Sequence, residues 1–171
     1  MKEKQYFVCL ALNLKDFNSS WCKETCKTLA SLVDKYHEVL ERANELEIFT
    51  QLEEILLGAS PEIKIEALNC LSNTFKKCDE EILPEILSEK VFTGVLNALA
   101  SGLPELILSS VNTIYYILER SEVYCQNLPN PVLEQFKASN GVTIIENLCS
   151  HKNKIIAQKA CTISDTILNK N

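Results

Sequence analysis

The sequence predicts an all-α fold in which helical hairpins stack into a right-handed superhelical solenoid, and three observations predict it. The stretch from Phe49 to Cys78 is an apolar helix, a polar break at Gly58-Ala59-Ser60-Pro61 and a second apolar helix, with apolar residues three and four apart. The chain repeats that hairpin in weaker form. Only 4 Gly and 5 Pro punctuate 171 residues, of which 46% are hydrophobic, and no apolar run approaches the roughly 20 residues of a membrane span.

The repeat is visible by offset. A shift of 43 lays Phe92-Thr93 on Phe49-Thr50, Pro104-Glu105 on Pro61-Glu62 and Val111-Asn112 on Leu68-Asn69. A shift of 42 the other way lays Lys23-Glu24-Thr25-Cys26 on Ile65-Glu66-Ala67-Leu68, and one of 93 forward lays Lys159-Ala160-Cys161 on Glu66-Ala67-Leu68. Residues 27, 69, 112 and 162 are therefore equivalent. Their spacings of 42, 43 and 50 residues fall around the roughly 40–47 residues of armadillo and HEAT units, the last being stretched by an insertion, and stacked units bury their faces on one another. Three helices per unit select armadillo.

Four units follow, at about 1–36, 37–78, 79–120 and 121–171, in a single domain. The first has a leading helix at Tyr6–Leu14, a break at Asp16 to Ser20, and a helix from Trp21 to about Tyr36 that Ser19 or Ser20 caps. The second opens with an acidic helix, His37–Leu46, before the Phe49–Cys78 hairpin. In the third, Pro84 keeps the first helix short, and Val91–Ala100 and Leu106–Arg120 flank a break at Ser101 to Pro104. The stretch SEVYCQNLPNPV, with Pro129 and Pro131 around Asn130, is expected to be a non-helical insertion. The fourth unit is Pro131–Lys137, a turn at Ser139-Asn140-Gly141, Val142–Cys149, a break at Ser150 to Asn153, and Ile155 to about Leu168.

A net charge of −6 argues against nucleic acid or an anionic membrane as the main partner and suits a basic peptide or protein surface. The apolar run Tyr6 to Leu14 is interrupted by Asn13 and precedes no small-residue cleavage site, so no signal peptide is read there. The eight cysteines are expected to be free thiols, several of them on apolar helical positions. Cys22 and Cys26 lie one turn apart, but nothing nearby completes a metal site, and His37 is about a dozen residues away. Trp21 reads as a packing residue and His151 as a turn residue. With no phosphate-binding glycine loop and no triad-like spacing, neither an enzyme nor a cofactor is expected.

The segment Asn130 to Ala160 resembles the C-terminal armadillo repeat of the importin-α family of nuclear transport adaptors. It carries Asn130-Pro131, Gly141, Ile145-Glu146-x-Leu148-x-Ser150-His151-x-Asn153 and Gln158-Lys159-Ala160. Ile63-Lys64-x-Glu66-Ala67 with Leu71-Ser72-Asn73, and Lys23-Glu24-x-Cys26-x-Thr28, are similar to the family's preceding repeats, so the resemblance covers nearly the whole chain. It implies binding of basic nuclear-localisation-signal peptides on a concave face built by the third helix of each unit, and residence in cytoplasm and nucleus. The family uses a Trp and, four residues later, an Asn. Here the Trp positions hold Lys27, Asn69, Asn112 and Thr162, and the Asn positions hold Ser31, Asn73, Tyr116 and Thr166. Glu24 and Glu66 match the family's acidic residue. The resemblance thus implies weak signal binding at Glu24, Lys27, Ser31, Glu66, Asn69, Asn73, Asn112 and Tyr116, and a contact of the nuclear export receptor with the last repeat. No basic segment of the kind that engages importin-β is present in this sequence. The alternative is an armadillo scaffold for other protein partners, without transport activity.

Overall fold

The computed structural model describes residues 2–17, 19–36, 38–79, 81–125 and 129–165. Among them are eleven helices and no strand. They are α1 (Lys2–Leu14), α2 (Ser20–Lys35), α3 (Glu38–Glu45), α4 (Ile48–Gly58), α5 (Pro61–Lys77) and α6 (Leu83–Ile86), then α7 (Glu89–Leu99), α8 (Pro104–Cys125), α9 (Pro131–Ala138), α10 (Gly141–Leu148) and α11 (Lys154–Ile163). His37, which the sequence reading places at the start of α3, and Thr166 to Leu168, expected in the last helix, lie outside the described residues.

Local chemistry starts these helices. Ser19 Oγ accepts from the Cys22 amide at 3.2 Å, Ser88 Oγ from Val91 at 3.2 Å and Asn153 Oδ1 from Ile155 at 3.0 Å, so α2, α7 and α11 each begin on a side-chain cap. Pro61 opens α5, where its missing N–H costs nothing, with Glu62 in the first turn and Lys76 and Lys77 in the last to suit the helix dipole. His151 is a turn residue as expected: its Nδ1 accepts from the Asn153 amide at 3.0 Å.

Two layers arise from this order. The third helices of the units stack as α2 on α5, α5 on α8 and α8 on α11, while α1, α4 and α7 stack behind them. A single hydrophobic core threads both layers from Leu10 to Ile163. Contact between α4 and α7 is close: a Cβ on Gly94 would lie 2.8 Å from Leu56 Cβ. The third helices are further joined by side chains that reach the preceding helix's carbonyls. Asn73 Nδ2 donates to Ala30 O at 2.9 Å, Thr113 Oγ1 to Leu68 O at 3.0 Å, and the Arg120 guanidinium to Lys76 O. These partners are 43, 45 and 44 residues apart, which is the sequence repeat expressed as bonds.

The structure departs from the sequence reading in three places. Helix α8 continues through Ser121 to Cys125, across the expected 120/121 boundary and into the stretch read as non-helical. The prolines forbid helix only near themselves, and the added turn is anchored: Cys125 is buried, Ser121 Oγ donates to Leu118 O at 2.9 Å and accepts from Asn130 Nδ2 at 3.0 Å. Asn130 also caps α9 through the amides of Val132 and Leu133, so one side chain joins the end of α8 to the start of α9. Helix α1 starts at Lys2 rather than Tyr6. Its polar first turn adds no apolar periodicity, the only signal used. Finally, Trp21 is 71% exposed rather than packed. It stands 42 residues before Ile63, whose side chain is buried in α5, so the two equivalent positions differ in environment.

The fourth unit is fastened by Phe136. Its ring is fully buried, meets Phe92 of α7 edge-on at 6.2 Å, and lies so close to α10 that a Cβ on Gly141 would sit 2.4 Å from it. Ordinarily Gly→Ala in a helix gains up to about 1 kcal/mol. At Gly141 overpacking, which costs about 1–3 kcal/mol, outweighs that gain. Gly141→Ala is therefore expected to lower the urea midpoint, and adding Phe136→Leu to recover part of the loss; a more stable Gly141→Ala protein contradicts this packing.

All eight cysteines are unpaired, with Cys22, Cys26, Cys70, Cys78 and Cys125 buried and Cys9 exposed. The hydrogen bond to Cys22, then burial, raise the Cys26 thiol far above its ordinary range; burial pushes Cys70 up to about 12 and Cys78 up to about 11. Such thiols stay protonated and unreactive at neutral pH. Ellman's reagent at pH 8 should label Cys9 first and leave those five protected until denaturant exposes all eight thiols. Fewer than eight in the unfolded, unreduced protein contradicts the free-thiol state.

Candidate functional site

The stacking of α2, α5, α8 and α11 sets equivalent residues side by side along one face, because each helix enters the stack in the same rotational register. That face carries all the site residues expected from the sequence, but in two separate groups.

At the α2/α5 end, Lys27 Nζ is 2.9 Å from Glu24 Oε1, one turn away on α2. The hydrogen bond that Lys27 donates to Glu24, and the further charge of Glu66 on the neighbouring helix, hold the Lys27 ammonium above its ordinary pKa. Glu66 is half-buried; Glu24, Lys27 and Ser31 are exposed. Of the two carboxylates at this end, Glu24 is thus already paired by a lysine of the chain itself, and Glu66 acts on that lysine through its charge.

The asparagines of α5 turn to opposite neighbours. Asn69 Oδ1 accepts from Ser109 Oγ of α8 at 3.0 Å, while Asn73 donates to Ala30 O of α2. Both remain half-exposed at the face. The Asn73 amide keeps its carbonyl oxygen and one N–H for another partner, since a primary amide carries two donors.

At the α8/α11 end a cleft of about 170 Å³ is lined by Asn112, Tyr115, Tyr116, Lys159 and Thr162. The Tyr115 and Tyr116 rings meet edge-on at 5.2 Å, and the Tyr115 hydroxyl donates to Glu119 at 3.0 Å, which raises its pKa. Sequence reasoning missed Tyr115, Ser109 and Lys159 as members of this face. The signal was available for two of them. The position three residues before the Trp position reads Glu24, Glu66, Ser109, Lys159 along the stack, so its charge runs from negative to positive. Thr166, the fourth Asn position, lies outside the described residues.

A larger hollow of about 560 Å³ lies at the far ends of α5 and α8, lined by Cys78, Asp79, Glu81, Leu83, Arg120, Val123 and Tyr124. Its thiol is held protonated by burial and its arginine is bonded to Lys76 O, so it presents no activated nucleophile. Among the described residues no group of three or more His, Cys, Asp or Glu is placed to hold a metal ion, and no helix is long and apolar enough to cross a membrane.

No protein family matches the chain, and no curated protein matches it. Solved structures do. An engineered protein superposes with a TM-score of 0.75 at 17% identity over 88% of this chain. A designed armadillo repeat protein in complex with the peptide (KR)4 superposes with a TM-score of 0.74 at 15% identity, also over 88%. The chain spans 57% and 59% of those two structures. The fold is an armadillo-like helical solenoid.

Removing the Asn73 amide tests whether it joins α5 to α2. Asn73→Ala is expected to cost about 1 kcal/mol by urea unfolding, the ordinary net worth of a part-buried hydrogen bond. An unchanged midpoint contradicts the bond.

Proposed function

We propose that this chain is a non-catalytic protein-interaction module that holds an extended peptide segment of a partner along α2, α5, α8 and α11. The observation that carries this reading is the row of polar residues from Glu24 to Thr162, which recur at equivalent positions of four stacked helices. A repeated surface at a regular step suits a partner that is itself regular and extended, whose side chains are taken one register at a time. The designed armadillo neighbour in complex with (KR)4 supports the same use of the fold.

A second reading, an importin-α-like adaptor for nuclear-localisation signals moving between cytoplasm and nucleus, is favoured by Glu24, Glu66 and the importin-α-like segment Asn130 to Ala160. On that reading the last unit also offers a contact for the export receptor. The scaffold reading stands ahead of it for two reasons. The aromatic positions that grip lysine stems hold Lys27, Asn69, Asn112 and Thr162. Glu24 is already paired by Lys27, and Asn69 and Asn73 already bond to neighbouring helices.

Titration of fluorescein-labelled (KR)4 tests the groove. The wild-type chain should bind it weakly and with strong salt dependence. Lys27→Trp with Asn69→Trp adds two cation–π contacts of about 0.5–2 kcal/mol each, an expected gain of about fivefold to a thousandfold. Glu66→Lys should abolish binding. Trp variants that gain nothing, together with a Glu66→Lys protein that loses nothing, contradict the groove.

A further inference from the structure

We infer that the cleft between α8 and α11 is an acid-accepting subsite, which holds the carboxylate of a Glu or Asp side chain of the bound peptide; the inference rests on the groove reading above. At about 170 Å³ the cleft is smaller than the roughly 300 Å³ at which small-molecule sites begin, so it fits one side chain rather than a cofactor. Its lining supplies a cation in Lys159, amide donors in Asn112 and the rings of Tyr115 and Tyr116 as walls, while the Thr162 hydroxyl donates to Gln158 O at 3.0 Å within its own helix.

Lys159 differs from the other lysine of the face in one decisive way. Lys27 is paired by Glu24, whereas Lys159 has no ion-pair partner among the described residues. The acid nearest in sequence to the cleft's α8 wall, Glu119, is held by the Tyr115 hydroxyl at 3.0 Å. An exposed ammonium beside an amide and two aromatic walls is completed by a carboxylate. Because the chain's net charge of −6 repels anions at long range, this lysine acts only within about a Debye length, selecting a residue within a peptide already held elsewhere. The face is therefore expected to read polarity along the peptide: basic toward Glu66, acidic toward Lys159.

Packed helices lie about 8–10 Å apart, so two steps from α5 to α11 span about 20 Å. An extended chain at about 3.3 Å per residue covers that distance in about six residues. The test uses labelled peptides with a lysine pair and a glutamate about six residues apart in an Ala/Ser background, in both chain orders, each beside a copy with Gln for Glu. In one order the Glu peptide should bind about two- to fivefold tighter than its Gln copy at low salt. Lys159→Gln should erase that preference and Lys159→Glu should invert it, with the lysine-dependent part of binding unchanged in both. Equal affinity for Glu and Gln peptides that both bind overturns the subsite and leaves the groove standing. If no peptide binds, groove and subsite fall together.

Discussion

The structure depends on one constraint: the third helix of each unit must lie along the third helix of the unit before it. Apolar burial supplies most of the attraction, but burial is tolerant of sliding. The side chains that cross to the preceding helix are not. Asn73 to Ala30 O, Thr113 to Leu68 O and Arg120 to Lys76 O each place a particular carbonyl opposite a particular residue, and the part-buried Asn73 amide left without its partner costs about 1–3 kcal/mol. Once that register is set, the polar face follows, because residues one repeat apart must then stand side by side.

The same constraint explains why the face differs from a surface designed only for binding. Asn69 and Asn73, assigned to the groove in the proposal, hold the stack together. Lys27 closes onto Glu24 and feels Glu66, so the acidic end partly neutralises itself. The α8/α11 end keeps its cation open. On the proposed reading, a face that satisfies one end internally and leaves the other open would discriminate by charge order along a partner.

Much of this was legible in the sequence, for identifiable reasons. The offset of 43 is visible because Phe49-Thr50, Pro61-Glu62 and Asn69 reappear nearly intact, and the start of α2 is visible because Ser19 is a strong cap former. What was not legible is long-range. The extra turn of α8 rests on Ser121 meeting Asn130, a contact no local pattern encodes, and Pro129 and Pro131 argued against it. Burial of Phe136 against Gly141 likewise needs the two helices already in place. At the site, Glu24, Glu66, Asn69 and Asn73 could be assigned to one face from helical spacing, but their partners could not. The pairing of Lys27 with Glu24 was not read either, although residues three apart on a helix are neighbours and the signal was there.

The central claim is that the face of α2, α5, α8 and α11 is the working surface. Amide chemical-shift mapping of isotope-labelled protein during addition of the (KR)4 peptide tests it most directly. The account predicts perturbations confined to these four helices, largest around Glu24, Lys27 and Glu66. Perturbations centred on α1, α4, α7 and α10, or none at millimolar peptide, would contradict it.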